Sequence, residues 1–242
     1  MKPIEIRNPF IETRNVQNFN VMMDGLALAE GEGRFGLVYG EAGRGKSRTA
    51  QKWYATNANS VYIHTRKIWE SSYTGFLRQL CKELDIKPIP RWKDACFNLA
   101  IDSLMQRPRV VLIDEIERLP AGFLEVTRDL TNITGCPVVL IGEEELVSYM
   151  RRNRRVWSRT FQQVEFRAID AGDTMIYVRE ACGLNLPPDA SAATHRLSEG
   201  NFRDIRRIVL NLVQICNAIK TGDVTVEMVE IAYKTGLNGG AR

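Results

Sequence analysis

Short runs of apolar and β-branched residues alternate with longer stretches of helical spacing through the first two thirds of the chain. Such alternation is typical of βαβ units that build a parallel sheet. The third and fourth runs are almost continuously apolar, which indicates strands covered on both faces. We predict five strands, at Phe35–Tyr39, Ser60–His64, Arg109–Ile113, Pro137–Ile141 and Gln163–Arg167.

Beyond Ala168 the strand pattern stops, and helical spacing continues almost to the C terminus. Glycines at 183, 200 and 222 separate the helical segments, as helix-ending glycines do. We predict helices over Asp173–Cys182, Ser191–Ser198, Phe202–Ile219 and Thr225–Thr235. The sequence thus predicts an α/β domain over residues 1–168, a small helical domain over 169–236 and a flexible tail over 237–242.

The composition is that of an ordinary globular protein, with 44% hydrophobic and 26% charged residues in 242. No apolar run approaches the roughly 20 residues that a bilayer span requires, and the N terminus has no apolar signal stretch. We therefore expect no membrane association and a cytoplasmic location. The five cysteines lack CxxC spacing, which favours buried thiols in a reducing compartment over a metal site.

Arginines cluster in the last third of the chain, and five of them fall between positions 151 and 159 without an acidic residue. Guanidinium groups at this density suit phosphate groups. A solvated helix face would give the same pattern.

A phosphate-binding motif follows the first predicted strand. Residues 40–47 read GEAGRGKS, a full match to GxxxxGK[ST] in the required strand–loop–helix context. Its glycines allow backbone N–H groups to point at phosphate oxygens, and the next helix adds its positive N-terminal end. We expect Lys46 to bridge the outer phosphates and Ser47 to hold Mg²⁺. The predicted nucleotide contacts are Gly40, Glu41, Ala42, Gly43, Arg44, Gly45, Lys46, Ser47, Arg48 and Asp114.

An acidic pair ends the third predicted strand, where Val110 to Glu115 read VVLIDE. This is a Walker B pattern. A strand parallel and adjacent to the phosphate-loop strand would place Asp114 at the ligand-binding crevice, within reach of Mg²⁺. Glu115 is then expected to polarise a water for attack on the outer phosphate.

Together these motifs resemble the AAA+ ATPases and, within them, the DNA-transposition regulators like the phage Mu B protein; origin initiators are the nearest other branch. The resemblance covers about residues 8–235. It rests also on NPFIET at Asn8–Thr13, VVLIGEEEL at Val138–Leu146, WSRTF at Trp157–Phe161 and EGNFRDI at Glu199–Ile205. It implies a P-loop AAA+ fold, with a parallel five-stranded sheet flanked by helices and followed by a helical lid.

The resemblance also implies roles for two arginines. Arg159 looks like the arginine finger that AAA+ proteins project into the nucleotide site of a neighbouring subunit. Arg203 looks like the sensor 2 arginine, which the lid carries to the γ-phosphate. The alternative for Arg159 is one more member of the basic run, and for Arg203 a solvated arginine on a helix surface.

One position departs from the family pattern. The fourth strand of AAA+ proteins usually ends in Asn, Thr or Ser as sensor 1, but here the aligned residue is Gly142 or Glu143. A carboxylate beside the γ-phosphate would repel it unless a cation intervened. We therefore expect slow ATP hydrolysis that DNA or a partner stimulates.

DNA contact is expected from the ATPase surface, because the chain leaves no room for the helix-turn-helix domain of Mu B relatives or the winged helix of initiators. Relatives place DNA-facing residues after the second strand, which points to Thr65, Arg66 and Lys67, although an ordinary exposed loop is the alternative. The Arg151–Arg155 run could serve DNA, the subunit interface or both. Contacts to phosphates would make binding largely independent of DNA sequence.

The leading functional hypothesis is an ATPase that assembles on double-stranded DNA as a homo-oligomer or helical filament and regulates transposition. It would capture target DNA for a transposase, and hydrolysis would release the DNA. The first alternative is a replication initiator or helicase loader. The second is a nucleotide-gated DNA scaffold with little turnover.

Overall fold

The computed structural model describes residues 2–29, 31–120 and 122–238, with only the backbone described at 236–238. The chain forms two compact units. One comprises residues 15–166, and the other joins residues 2–14 to the C-terminal part from Arg167 onward. The sequence analysis placed residues 2–14 in the α/β domain. They lie in the helical unit because Ile4, Ile6 and Ile11 pack against its hydrophobic core.

The α/β unit contains a parallel five-stranded sheet, which confirms the predicted fold class. Its strands are β1 Phe35–Tyr39, β2 Ser60–His64, β3 Val110–Asp114, β4 Val138–Ile141 and β5 Thr160–Glu165. Its helices are α1 Arg14–Leu28, α2 Lys46–Thr56, α3 Thr74–Glu83, α4 Lys93–Gln106, α5 Phe123–Thr134, α6 Glu145–Arg152 and α7 Arg154–Trp157.

The strands lie in the order β2-β3-β4-β1-β5, and every neighbouring pair is parallel. The predicted limits of β1 and β2 match the structure. β5 begins three residues earlier than predicted, at Thr160. It is an edge strand with only Val164 buried, so its polar residues hid the strand from a search for apolar runs.

Alternate residues of β1, β2, β3 and β4 enter two separate cores. Phe35, Leu37, Val111 and Ile113 pack with side chains from α3, α4 and α5. Residues of the opposite parity, such as Leu112, pack with side chains from α1 and α2. This alternation is the period of two that a strand imposes, and covering both faces explains the continuous apolar runs of β3 and β4.

The helical unit contains α8 Ala171–Cys182, α9 Pro188–Ser198, α10 Phe202–Ile219 and α11 Val226–Asn238. Gly183 ends α8 in the left-handed conformation, as predicted for a helix-stopping glycine. The predicted tail starts at 237, but residues 237 and 238 belong to α11, and 239–242 lie outside the described residues.

No helix in the described part of the chain is both long enough and apolar enough to cross a bilayer.

Candidate nucleotide-binding site

The phosphate loop connects β1 to α2. Gly40, Gly43 and Gly45 all adopt positive φ angles, of 138°, 81° and 97°. A Cβ atom at Gly40 would also lie 2.4 Å from the carbonyl oxygen of Phe166. Glycine is therefore required at these turns for conformation and, at Gly40, for space as well.

Lys46 is the first residue of α2, and its side chain curls back into the loop. Its Nζ donates to the carbonyl oxygens of Gly40 at 2.5 Å and of Glu41 at 2.8 Å. Burial lowers the pKa of Lys46, while the charges of nearby carboxylates oppose that shift. They belong, in order of decreasing effect, to Glu143, Glu117, Asp114 and Glu115. The lysine thus stands as a buried cation among acidic groups, with its ammonium placed to exchange carbonyl oxygens for phosphate oxygens.

Asp114, the last residue of β3, is almost fully buried at 1% exposure. Its Oδ2 accepts a 2.5 Å hydrogen bond from the Tyr62 hydroxyl, and its Oδ1 accepts one from the backbone N–H of Glu115 at 3.1 Å. The neighbouring carboxylate and burial together raise the pKa of Tyr62, burial having the larger effect. These hydrogen bonds fix the orientation of Asp114, while the second lone pair of each oxygen remains available for a cation.

Glu115 lies at a sharp bend in the left-handed region, with φ 57° and ψ 48°. Its carboxylate forms an ion pair with Arg118, and its Oε2 lies 3.8 Å from Nε2 of His64. The other ring nitrogen of His64 lies 3.5 Å from Oδ2 of Asp114. A positively charged partner therefore holds the Glu115 carboxylate in this structure.

The end of β4 carries the departure noted at sensor 1. Gly142 follows the strand directly, and its backbone N–H donates to the carbonyl oxygen of Val38. Glu143 comes next, and among the carboxylates its charge has the largest effect on Lys46. Glu143 is thus electrostatically part of the site.

The expected adjacency of the two motif strands is wrong, because β4 lies between β1 and β3. Asp114 is in register with Ile141, which is in turn in register with Val38. At about 4.8 Å per strand, roughly 10 Å separates the β1 and β3 backbones. A bound nucleotide with its cation would have to bridge that gap.

Arg159 immediately precedes β5. Its carbonyl oxygen accepts a hydrogen bond from the N–H of Phe35, at the amino end of β1. Its guanidinium donates to the carbonyl oxygens of Glu32 at 3.2 Å and Gly33 at 3.5 Å. Arg159 therefore lies at the amino ends of the strands, whereas the phosphate loop lies at their carboxyl ends.

Arg203 belongs to the helical unit and lies in the first turn of α10, where it is exposed. Its backbone N–H donates to the Asn201 side chain, which caps the helix. This hydrogen bond fixes the start of the helix.

The segment after β2 divides into an inward and an outward part. Thr65 is fully buried, and its hydroxyl donates to the carbonyl oxygen of Glu115 at 2.5 Å. This hydrogen bond corrects the prediction that Thr65 contacts DNA phosphates, since the hydroxyl faces the protein. Arg66 and Lys67 are exposed, and the Arg66 guanidinium lies over the Trp69 ring, 5.5 Å from its centre.

The arginine run lines a cleft of about 560 Å³ beside α5, α6 and α7. Arg152, Arg154 and Arg155 lie along it and are exposed. The acidic residue in the cleft, Glu125, is already engaged by Arg128 and by the Asn153 amide. The cleft therefore presents excess positive charge.

Four site residues were missed from the sequence: Tyr62, His64, Glu117 and Arg118. A signal existed for two of them, because β2 is parallel to β3 and its last residues, including Tyr62 and His64, must reach the same edge. Glu117 and Arg118 lie in a short 3₁₀ helix after the bend at Glu115. Their directions depend on that bend, which the sequence does not reveal.

Comparison with known proteins identifies the family. Residues 29–150, half of the chain, match the family described as AAA domain. In the Aeropyrum pernix ORC2 protein, 13% identical, a fold of the same type covers all of this chain and 72% of that one, with a TM-score of 0.71.

Three relatives show similarity in sequence. The Mu-like prophage FluMu DNA transposition protein B of Haemophilus influenzae is 27% identical over 67% of this chain and 58% of its own length. The ATP-dependent target DNA activator B of Escherichia phage Mu is 29% identical over 65% of this chain and 50% of its own. The general secretion pathway protein A of Aeromonas hydrophila is 30% identical over 83% and 41%.

The chain thus spans about half the length of these relatives. The motif-based resemblance to the phage Mu B proteins is confirmed, and the chain belongs to the AAA domain family of ATPases.

Proposed function

We propose that this protein is an ATP-dependent, largely sequence-nonspecific DNA-binding ATPase that regulates transposition. One observation carries the proposal. The Lys46 ammonium, the phosphate loop and the Asp114–Glu115 pair all lie at the carboxyl ends of the parallel strands. Support for the DNA role comes from two relatives, whose names state DNA transposition and ATP-dependent activation of target DNA.

ATP would bind with its phosphates in the loop formed by residues 40–47. Lys46 would leave the carbonyl oxygens of Gly40 and Glu41 and bind the outer phosphates. Ser47 and Asp114 would hold Mg²⁺ through hard oxygen ligands, and that ion would neutralise phosphate charge. Phosphate oxygens and waters would complete the coordination of the ion.

Hydrolysis requires that Glu115 exchange its ion pair with Arg118 for the attacking water. Glu115 would then orient that water and accept its proton. The Thr65 hydroxyl holds the Glu115 carbonyl oxygen, which keeps the backbone of the bend fixed during this exchange.

Arg159 is proposed to act on a neighbouring subunit. β1 is five residues long and spans about 13 Å, which separates Arg159 from the phosphate loop of its own chain. A guanidinium at the amino ends of the strands is suited to completing the nucleotide site of a second copy of this chain. It would first have to leave the carbonyl oxygens of Glu32 and Gly33. Arg203 is proposed as the sensor 2 residue.

DNA would contact Arg66 and Lys67 through its phosphates, with the Arg152–Arg155 cleft as a second basic surface. A transposase would receive the captured DNA and stimulate hydrolysis.

Electron microscopy with duplex DNA tests the proposal, once with a slowly hydrolysed ATP analogue and once with ADP. We expect ordered assemblies on DNA with the analogue, none with ADP, and none with Lys46→Ala under either condition. Isolated particles in every sample would contradict the proposal.

A further inference from the structure

The end of β4 is the part of the sheet nearest to both halves of the nucleotide site. β4 lies between the strand that carries the phosphate loop and the strand that carries Asp114. A side chain just beyond β4 would therefore face the outer phosphate of a nucleotide bridging the two. The residue there is Gly142, which offers no side chain.

Backbone conformation does not require glycine at this position. Gly142 is absent from the described glycines with positive φ, so any residue could adopt its conformation. Space is the constraint. A Cβ atom at 142 would lie 2.7 Å from Oε2 of Glu117 and 3.1 Å from Cγ2 of Ile116. The carboxyl group of Glu117 thus occupies the volume that a side chain at 142 would take.

The bend at Glu115 explains why the side chains of Glu115 and Glu117 contact different groups. Glu115 adopts the left-handed conformation and pairs with Arg118, while Glu117, within the 3₁₀ helix Ile116–Arg118, reaches Gly142. Among the carboxylates that act on Lys46, Glu117 is second to Glu143 and ahead of both Walker B acids. The charge of Glu117 therefore acts on the phosphate-binding lysine, as the charges of the Walker B carboxylates do.

Electrostatics makes this location suitable for ordering a water molecule beside a phosphate. Burial raises the pKa of Glu117, and the charges of Glu143, Glu115 and Asp114 raise it further, against a backbone hydrogen bond that lowers it. The carboxylate oxygens of Glu117 can accept hydrogen bonds from the attacking water, and the charge of the nearby Lys46 ammonium offsets their repulsion of a phosphate.

We propose that Glu117 supplies the polar side chain missing from the end of β4, facing the outer phosphate and ordering the attacking water. This inference rests on the proposed function, because it requires ATP hydrolysis at this edge. Glu117 would act in addition to Glu115, which remains the group that accepts the proton.

Steady-state ATP hydrolysis and binding of a fluorescent ATP analogue test the inference in the full chain. We expect Glu117→Ala to lower kcat about tenfold or more while KM and analogue affinity change by less than about twofold, as for loss of a transition-state contact. Glu117→Gln keeps a polar group in the same volume and should retain most of the activity. Glu144→Ala, an exposed neighbouring glutamate, is the matched control and should behave as wild type.

Gly142 provides an independent test. Gly142→Ala should displace the Glu117 carboxyl group and lower kcat alone, but add nothing in the Glu117→Ala background, where the space is free. Gly142→Asn combined with Glu117→Ala places an amide in the vacated volume and should recover most of the lost kcat. A purely structural role for Glu117 predicts no such recovery.

The outcomes separate the two proposals. Wild-type protein that neither binds nor hydrolyses ATP would contradict the proposed function. Wild-type hydrolysis that depends on Lys46, with kcat unchanged in Glu117→Ala or not recovered by Gly142→Asn, would overturn only the role of Glu117.

Discussion

The loop after β1 and the segment after β2 lie at the same edge of the sheet, but they relate to the sequence in different ways. In the first, three glycines with positive φ dictate the path of the backbone, and function follows from that path. In the second, function depends on where individual side chains point. Thr65 turns inward and Arg66 outward, although they are neighbours. A site that depends on backbone conformation can therefore be predicted from the sequence. A site that depends on side-chain directions can be identified only from the tertiary structure.

Removing the buried lysine of the backbone-determined site should have the largest effect. We expect Lys46→Ala to weaken ATP binding by about 100-fold or more, because the outer phosphates lose a charge-assisted contact in a partly buried site. Isothermal titration with a slowly hydrolysed analogue measures this, with Lys52→Ala on the exposed part of α2 as the control. An affinity close to that of wild type would place the nucleotide elsewhere.

Glu115→Gln should sharpen the comparison, because it removes chemistry without changing the backbone. We expect phosphate release to fall about 100-fold while ATP binding persists, since the amide cannot accept the proton of the attacking water. DNA-bound assemblies should then survive longer in ATP, as measured by filter binding after dilution. If hydrolysis and assembly lifetime were both unaffected, a nucleotide-gated scaffold would be the better description.

Variants of neighbouring residues can distinguish DNA contact from structural roles in the segment after β2. Arg66→Ala and Lys67→Ala should each weaken DNA binding up to about tenfold and reduce the salt slope of log K by about one. Lys82→Ala, which removes an exposed charge on α3, is the control.

Thr65→Val should leave DNA affinity unchanged but lower the free energy of unfolding by about 1–3 kcal/mol, because it removes the donor to a buried carbonyl oxygen. Urea denaturation measures that loss. A DNA-binding defect in a fully folded Thr65→Val protein would restore the original prediction for this residue.

The smallest expected effect concerns stability against pH. The pKa of Glu117 is raised in the folded protein, so the folded state binds more protons than the unfolded state between the two pKa values. The contribution of this carboxyl group to stability is present below about pH 4.3, its unfolded value, and is lost as pH rises through the folded value. Glu117→Gln should thus gain stability relative to wild type as the pH rises above about 4.3, as seen in urea midpoints. A difference that is constant with pH would contradict the shift.

Sequence patterns predicted the elements of the sheet well because each buried strand leaves a local signature. β1 and β2 match their predicted limits, and helix α10 matches as well. What failed depends on contacts between distant segments. The interposition of β4 between β1 and β3 is a matter of strand order, which apolar runs do not encode.

Contacts between segments that are distant in the sequence also explain the remaining errors. The inward turn of Thr65 follows from its hydrogen bond to a residue 50 positions away. The assignment of residues 2–14 to the helical unit follows from the packing of Ile4, Ile6 and Ile11 there. Glycine at 142 departs from the family pattern in the sequence, but the carboxyl group that a side chain there would meet, that of Glu117, lies on another segment.

If Arg159 completes the site of a neighbouring subunit as proposed, each subunit of the assembly would have a head at Arg159 and a tail at its own phosphate loop. Contacts of this kind are heterologous, and they form a closed ring or an open array. In an open array, the last pocket at one end would lack a donated guanidinium, and the first arginine at the other would have no recipient. Growth and loss of subunits would therefore be directional, and ATP in the terminal pocket would outlast ATP in the interior.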